Sequence, residues 1–202
     1  MTFTSTDLSR RTFLGMAAGG IAVAANPALA ISATQAKSLV DNLVRDINGI
    51  IASGGSESAM ISQFEAVFLK YGDVPAIARS ALGPTARSLS NGDLNAYTKA
   101  FSGYMSRKYG KRFREFIGGR IEVNGGRDKG RFYEVSTTAF LRGEDPFDLT
   151  FVISDRGGQN RFINMLFEGV NVLASEREEV GARLDRAGGN IKALIADLSR
   201  AG

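Results

Sequence analysis

The hydrophobic period of this chain changes at Gly118-Gly119, from a spacing of three to four residues to strict alternation, and that change dictates a helical part set against a sheet. Before it, Leu39, Val40, Leu43, Val44, Ile47, Ile50 and Ile51 fall on one side of a predicted helix over residues 34–53, which Gly54-Gly55 ends. Ser56 or Ser58 can cap a second helix whose apolar face carries Met60, Ile61, Phe64, Val67, Phe68 and Tyr71, with Gly72 as its stop. Asp73-Val74-Pro75 reads as a capped restart leading into Ile77, Ala78, Ala81 and Leu82, and Gly83-Pro84 breaks it. A long helix then starts within residues 90–93 and places Leu94, Tyr97, Phe101, Met105, Tyr109, Phe113 and Phe116 on one side. Arg107, Lys111 and Arg114 fall opposite. A solvated face is the simpler reading of that basic line, and a docking surface for anionic headgroups or an acidic partner is the functional one.

Beyond Gly119, Ile121 and Val123 start a strand that Gly125-Gly126 is expected to break. Residues 132–141 follow, with Tyr133, Val135, Ala139 and Leu141 on one face. Phe147, Leu149, Phe151 and Ile153 then alternate with polar residues, and Arg156-Gly157-Gly158 suits a hairpin into a fourth strand over residues 161–167. The expectation is α+β, with a four-stranded antiparallel meander. Helical spacing returns after Val172, with Val180 and Leu184 inward, a stop at Gly188-Gly189, and a last short helix carrying Ile191, Leu194, Ile195 and Leu198.

Near the start, Ser9-Arg10-Arg11-Thr12-Phe13-Leu14 precedes a short apolar run, the arrangement of a twin-arginine export signal, and Ala28-Leu29-Ala30 fits a signal-peptidase site. Residues 1–30 therefore read as a signal peptide and residues 31–202 as one exported domain, folded before it crosses the membrane. Without residues 1–30 the net charge is +3, too small and too dispersed to argue for nucleic acid. No later apolar run approaches the roughly 20 residues of a membrane span.

The sequence has neither cysteine nor histidine, which removes disulfides, thiolate and imidazole metal sites, and Ser-His or Cys-His nucleophile pairs. No metal or cofactor is expected. The glycine pairs lack the spacing and the lysine of a phosphate-binding loop and read as turns. Acidic neighbours such as Glu144 with Asp145, Asp148 with Glu168, and Glu178 with Glu179 are more simply solvated or capping carboxylates than acid-base pairs, so no catalytic residue is assigned. What remains is aromatic and apolar material, including thirteen phenylalanines, spread over both the helices and the sheet. It suits a filled core, and equally a carrier for an apolar ligand.

The run Asn164-Met165-Leu166-Phe167-Glu168-Gly169-Val170-Asn171-Val172-Leu173, followed by Arg177, Leu184, Ile191, Leu194 and Leu198, resembles the end of the MlaC family of periplasmic phospholipid-binding, toluene-tolerance proteins. The helix bearing Tyr97, Phe101, Tyr104 and Tyr109-Gly110 resembles that family's central helix. Two departures are the twin-arginine signal and Val180, which stands where the family commonly has an aromatic residue. The resemblance implies a twisted antiparallel sheet against a cup of about six to seven helices, with the tails of a phospholipid held between them. It implies no catalysis, and partners in an outer-membrane lipoprotein complex and an inner-membrane ABC transporter with a substrate-capture domain, reached by transient contact. On this reading Phe101, Tyr104 and Met105 of the long helix and Val135, Ala139, Leu149, Phe151, Met165 and Phe167 of the sheet line the cavity. Gly169 reads either as a left-handed turn from the last strand into the rim or as an ordinary strand terminator. A hopanoid-type cargo, an NTF2-like non-lipid module and an adaptor for an acidic partner are the other readings.

Overall fold

In the computed structural model, residues 32–202 are described; the export signal and its cleavage site lie outside them. The first helix, α1 (Ala33–Ser53), opens on a reciprocal cap in which Gln35 N–H donates to Ser32 Oγ and the Gln35 side chain accepts from Ser32 N–H. Ser56 caps α2 (Glu57–Tyr71), Asp73 caps α3 (Val74–Leu82) and Ser90 caps α4 (Asn91–Gly110), each accepting a hydrogen bond from a first-turn backbone amide. The long helix is shorter than its apolar spacing suggests. It tightens into a 3-10 turn over Lys111–Arg114, which carries Phe113 inward. After the sheet, α5 (Val172–Arg186) and α6 (Ile191–Leu198) complete the helical part.

The sheet has five antiparallel strands in chain order, not four: β1 (Arg120–Asp128), β2 (Tyr133–Phe140), β3 (Phe147–Ser154), β4 (Arg161–Phe167) and β5 (Val170–Asn171). The fifth is two residues long and too short to show any alternation in sequence. Gly125-Gly126 does not break β1 as expected. The pairing with β2 skips Asn124, so the strand absorbs one residue as a bulge and continues. A second skip, at Ile163 in β4, sets Phe162 opposite Ile153 and brings its ring to the inner face. Between β4 and β5 the two turn residues, Glu168 and Gly169, have φ of 48° and 76°, the left-handed pair of a tight hairpin, so of the two readings of Gly169 the left-handed turn holds.

Two packed cores result. One joins α1 and part of α2 to the inner faces of β1, β2 and β3, and the other joins α3, α4, α5 and α6. Helix α1 crosses β1 and β2, where Val135, Thr137 and Ala139 have no solvent exposure. On the same helix, Asn48 pairs with Ile121 through both its amide groups: Nδ2 donates to the carbonyl and Oδ1 accepts from the N–H, each at 2.9 Å. A helix side chain thereby occupies backbone groups on the outer edge of β1, which no strand covers. The α2–α3 junction meets the opposite side of the sheet, with Asp73 N–H donating to Phe162 O at 2.9 Å. Gly72 permits that approach, since a Cβ there would sit 2.9 Å from the Phe162 ring.

Asn48→Ala leaves the Ile121 amide and carbonyl unpartnered at a half-buried edge. Urea unfolding should show a loss of about 1–3 kcal/mol with the slope of the transition unchanged.

Candidate functional site

Because α1 covers the β1 and β2 half of the sheet, the inner faces of β3 and β4 are left to face α2, α4 and α5 across a gap. That gap is a cavity of about 420 Å³. The size falls among small-molecule sites, typically ~300–1,000 Å³. Phe147, Leu149 and Phe151 of β3 and Phe162, Met165 and Phe167 of β4 form its floor. Leu43 and Ile47 of α1, Phe64, Val67 and Phe68 of α2, and Met105 and Tyr109 of α4 form its walls.

Eight of the thirteen phenylalanines line this space, and their rings touch in one continuous series. Phe167 packs on Phe147 at 4.9 Å between centroids, Phe147 on Phe116 at 6.0 Å, Phe116 on Phe113 at 5.7 Å and Phe113 on Phe64 at 5.2 Å. The series continues from Phe64 to Phe68 at 6.1 Å, Phe68 to Phe162 at 5.9 Å and Phe162 to Phe151 at 6.1 Å. These are stacked, tilted and edge contacts of the kinds aromatic pairs favour, so the rings brace one another around the open middle. Arg112, Glu115 and Glu144, all exposed, complete the lining, and Phe167 is itself 41% exposed beside them. They mark the mouth.

One wall carries charge. Glu176 of α5 is 1% exposed, lines the cavity, and accepts from Lys108 Nζ at 2.7 Å, Tyr109 Oη at 2.5 Å and Tyr104 Oη at 3.2 Å. Lys108 also reaches Glu179 at 2.6 Å, Glu179 pairs with Arg183 at 2.9 Å, and Arg183 pairs with Asp197 at 2.7 Å. This chain of charges ties α4, α5 and α6 together behind the apolar surface. Burial works to raise the Glu179 carboxyl, but hydrogen bonds from Lys108 and Arg183 outweigh it and hold the group at about 2. Burial and the neighbouring carboxylates push the Tyr104 and Tyr109 hydroxyls upward, so both remain protonated donors.

The sequence-derived lining residues divide in two. Met105, Leu149, Phe151, Met165 and Phe167 meet around the cavity. Phe101, Tyr104, Val135 and Ala139 do not reach it. Phe101 packs between Tyr97 and Tyr104 in the α3–α6 core, and Tyr104 is turned to Glu176. Val135 and Ala139 belong to the strand that α1 covers. The lining phenylalanines missed are Phe64, Phe68, Phe113, Phe116, Phe147 and Phe162, and the i, i+4 pair Phe64 and Phe68 is one that helix spacing could have flagged. Of the basic line, Arg107 donates to the carbonyls of Leu198 and Ala201, and Lys111 to that of Gly202, so two of its three cations secure the C-terminal segment instead of facing a partner. Among the described residues no acidic cluster is arranged to hold a metal, and no helix is long and apolar enough to cross a membrane.

The family model described as MlaC protein matches residues 37–200. A solved structure of a phospholipid-binding protein from Ralstonia solanacearum, in complex with a phospholipid, superposes with a TM-score of 0.70 at 14% identity. The match covers 81% of this chain and 94% of that one. No curated protein matches the sequence significantly.

Two outcomes follow from the charged wall. Lys108→Ala leaves the buried Glu176 without its cation and should lower stability by ~3 kcal/mol in chemical unfolding. Glu179 ionises below its ordinary value in the folded state, so its contribution is complete above pH 4.5 and is lost as pH falls through about 2. Thermal melts between pH 5 and pH 2 should therefore show a drop in wild type that is smaller in Glu179→Gln.

Proposed function

The chain belongs to the MlaC family, and on that premise we propose that it is a phospholipid carrier rather than an enzyme. Its acyl chains enter the phenylalanine-lined cavity and its headgroup stays at the mouth formed by Arg112, Glu115 and Glu144. The observation that carries this reading is the seam between the two cores, apolar around nearly all of its circumference and not filled by the protein's own side chains. The structural likeness to a protein solved with a bound phospholipid supports it.

The driving force is burial. Moving acyl chain out of water is worth ~0.8 kcal/mol per CH₂, so a 16-carbon tail contributes on the order of 12 kcal/mol before the costs of ordering. The mutually packed phenylalanines supply an apolar surface that is already assembled, which keeps those costs low. Met105 and Met165 add flexible thioethers that can fit an irregular chain. In this proposal Met105, Leu149, Phe151, Met165 and Phe167 touch the tails. Phe101, Tyr104, Val135 and Ala139 support the walls from behind.

In this proposal the carrier works in the periplasm, receiving and delivering lipid between an outer-membrane lipoprotein complex and an inner-membrane ABC transporter, a reading that the twin-arginine pattern and the family support. That traffic would serve the lipid asymmetry of the outer membrane. Binding needs no metal or cofactor. Release requires a partner that binds an opened state better than the closed one.

Protein recovered from the periplasm of its own host should carry phospholipid in native mass spectra, and a stripped sample should take lipid up from vesicles. A polycyclic lipid in its place would keep the carrier and change the cargo. A protein that arrives empty and stays empty overturns the reading. Phe151→Asp places a carboxylate on the cavity floor and should abolish loading, while Met165→Trp, which fills space without adding charge, should reduce it severalfold. Circular dichroism and native mass checks restrict both comparisons to folded protein.

A further inference from the structure

We propose that the mouth of the cavity selects a zwitterionic phosphoester headgroup, one bearing a primary ammonium, over a purely anionic one. The proposal rests on the carrier reading above and sharpens it. Six polar side chains line the otherwise apolar cavity, and they fall into two sets. Tyr109 and Glu176 are bonded to each other, and Asn164 accepts from the Leu173 N–H at 3.1 Å and donates to Asn171 at 2.9 Å. Those three are satisfied by the protein. Arg112, Glu115 and Glu144 have no side-chain hydrogen bond or ion pair to any described residue, and all three are exposed.

Their placement makes the absence of pairing informative. Arg112 lies on the 3-10 turn and Glu115 caps it, three residues apart, the spacing at which side chains of such a turn eclipse and opposite charges meet. Only the backbone joins them, Glu115 N–H donating to Arg112 O at 2.9 Å, and no hydrogen bond or ion pair forms between their side chains. Lys111, the neighbour of Arg112, is engaged by the carbonyl of Gly202. The guanidinium thus keeps its planar fork for a phosphate, which it can bind through two parallel hydrogen bonds. Glu115 and Glu144 offer carboxylates to an ammonium on the same headgroup. A headgroup with phosphate alone would meet one cation and two like charges. Being at an exposed rim, the two carboxylates set preference, the guanidinium adds modestly to the binding of either headgroup, and the apolar cavity supplies most of the affinity.

The test offers the stripped protein vesicles containing equal amounts of dioleoyl phosphatidylethanolamine and dioleoyl phosphatidylglycerol, and reads the bound species by native mass spectrometry. Wild type should favour the ethanolamine lipid by about threefold, the scale of an exposed charge contact. Glu115→Gln with Glu144→Gln should bring the ratio to about one or below it, since a like-charge penalty has been removed. Arg112→Gln should lower uptake of both lipids alike. Equal loading of the two lipids by wild type, or a ratio that the double substitution leaves unchanged while lipid still binds, overturns the headgroup proposal and leaves the carrier intact. Failure of wild type to take up either lipid overturns both.

Discussion

The buried residues fall into two hydrophobic cores bridged by the partly buried Phe64 and Phe162, and the rest of the molecule follows from that constraint. Helix α1 covers β1 and β2, while α3, α4, α5 and α6 pack mainly on one another. Where the two bodies face each other, phenylalanine rings join wall to floor at Phe68 with Phe162 and at Phe116 with Phe147, and the space between those contacts stays open. Filling the seam would be worth tens of CH₂ contacts to the free protein. Leaving it open is tolerable because the belt supports itself and because each core is complete without it.

The charged wall performs a related task. A carboxylate as deeply buried as Glu176 is costly unless paired, and Lys108 together with two tyrosine hydroxyls meets that need. The network also fixes α5 against α4 by directional bonds, which apolar contacts alone would not do. It stands at the cavity surface without lending it free polarity, since its acceptors are taken by protein donors. Carboxylates and a cation available to a ligand occur instead at the mouth, in water, where leaving them unpaired costs little.

Much of this was legible in the sequence, and the failures share a cause. Caps at Ser56, Asp73 and Ser90, the stop at Gly72 and the strand over residues 161–167 could be read because local chemistry decides them. The course of β1 through Gly125-Gly126 and the inward ring of Phe162 could not, because each depends on a single skipped residue in the pairing with a neighbour. Alternation over residues 161–167 puts Ile163 with Met165 and Phe167, and only the bulge exchanges it for Phe162. Likewise, Val135 and Ala139 carry the right face of the right sheet. Which half of that sheet α1 would cover is a tertiary outcome that spacing along one strand does not encode.

The pairing of Asn48 with Ile121 has a bearing on how cargo of different lengths would be housed. Two hydrogen bonds from one amide fix the height of α1 along β1, so that side of the chamber cannot slide to make room. Expansion must come from the opposite bank, where β4 meets a strand of only two residues and α5 is tied to α4 through Lys108 and to β4 through Asn164, so that they would shift together. The vessel therefore has one rigid cheek and one compliant one, and a bulkier passenger would register as displacement of α5 while α1 keeps its place.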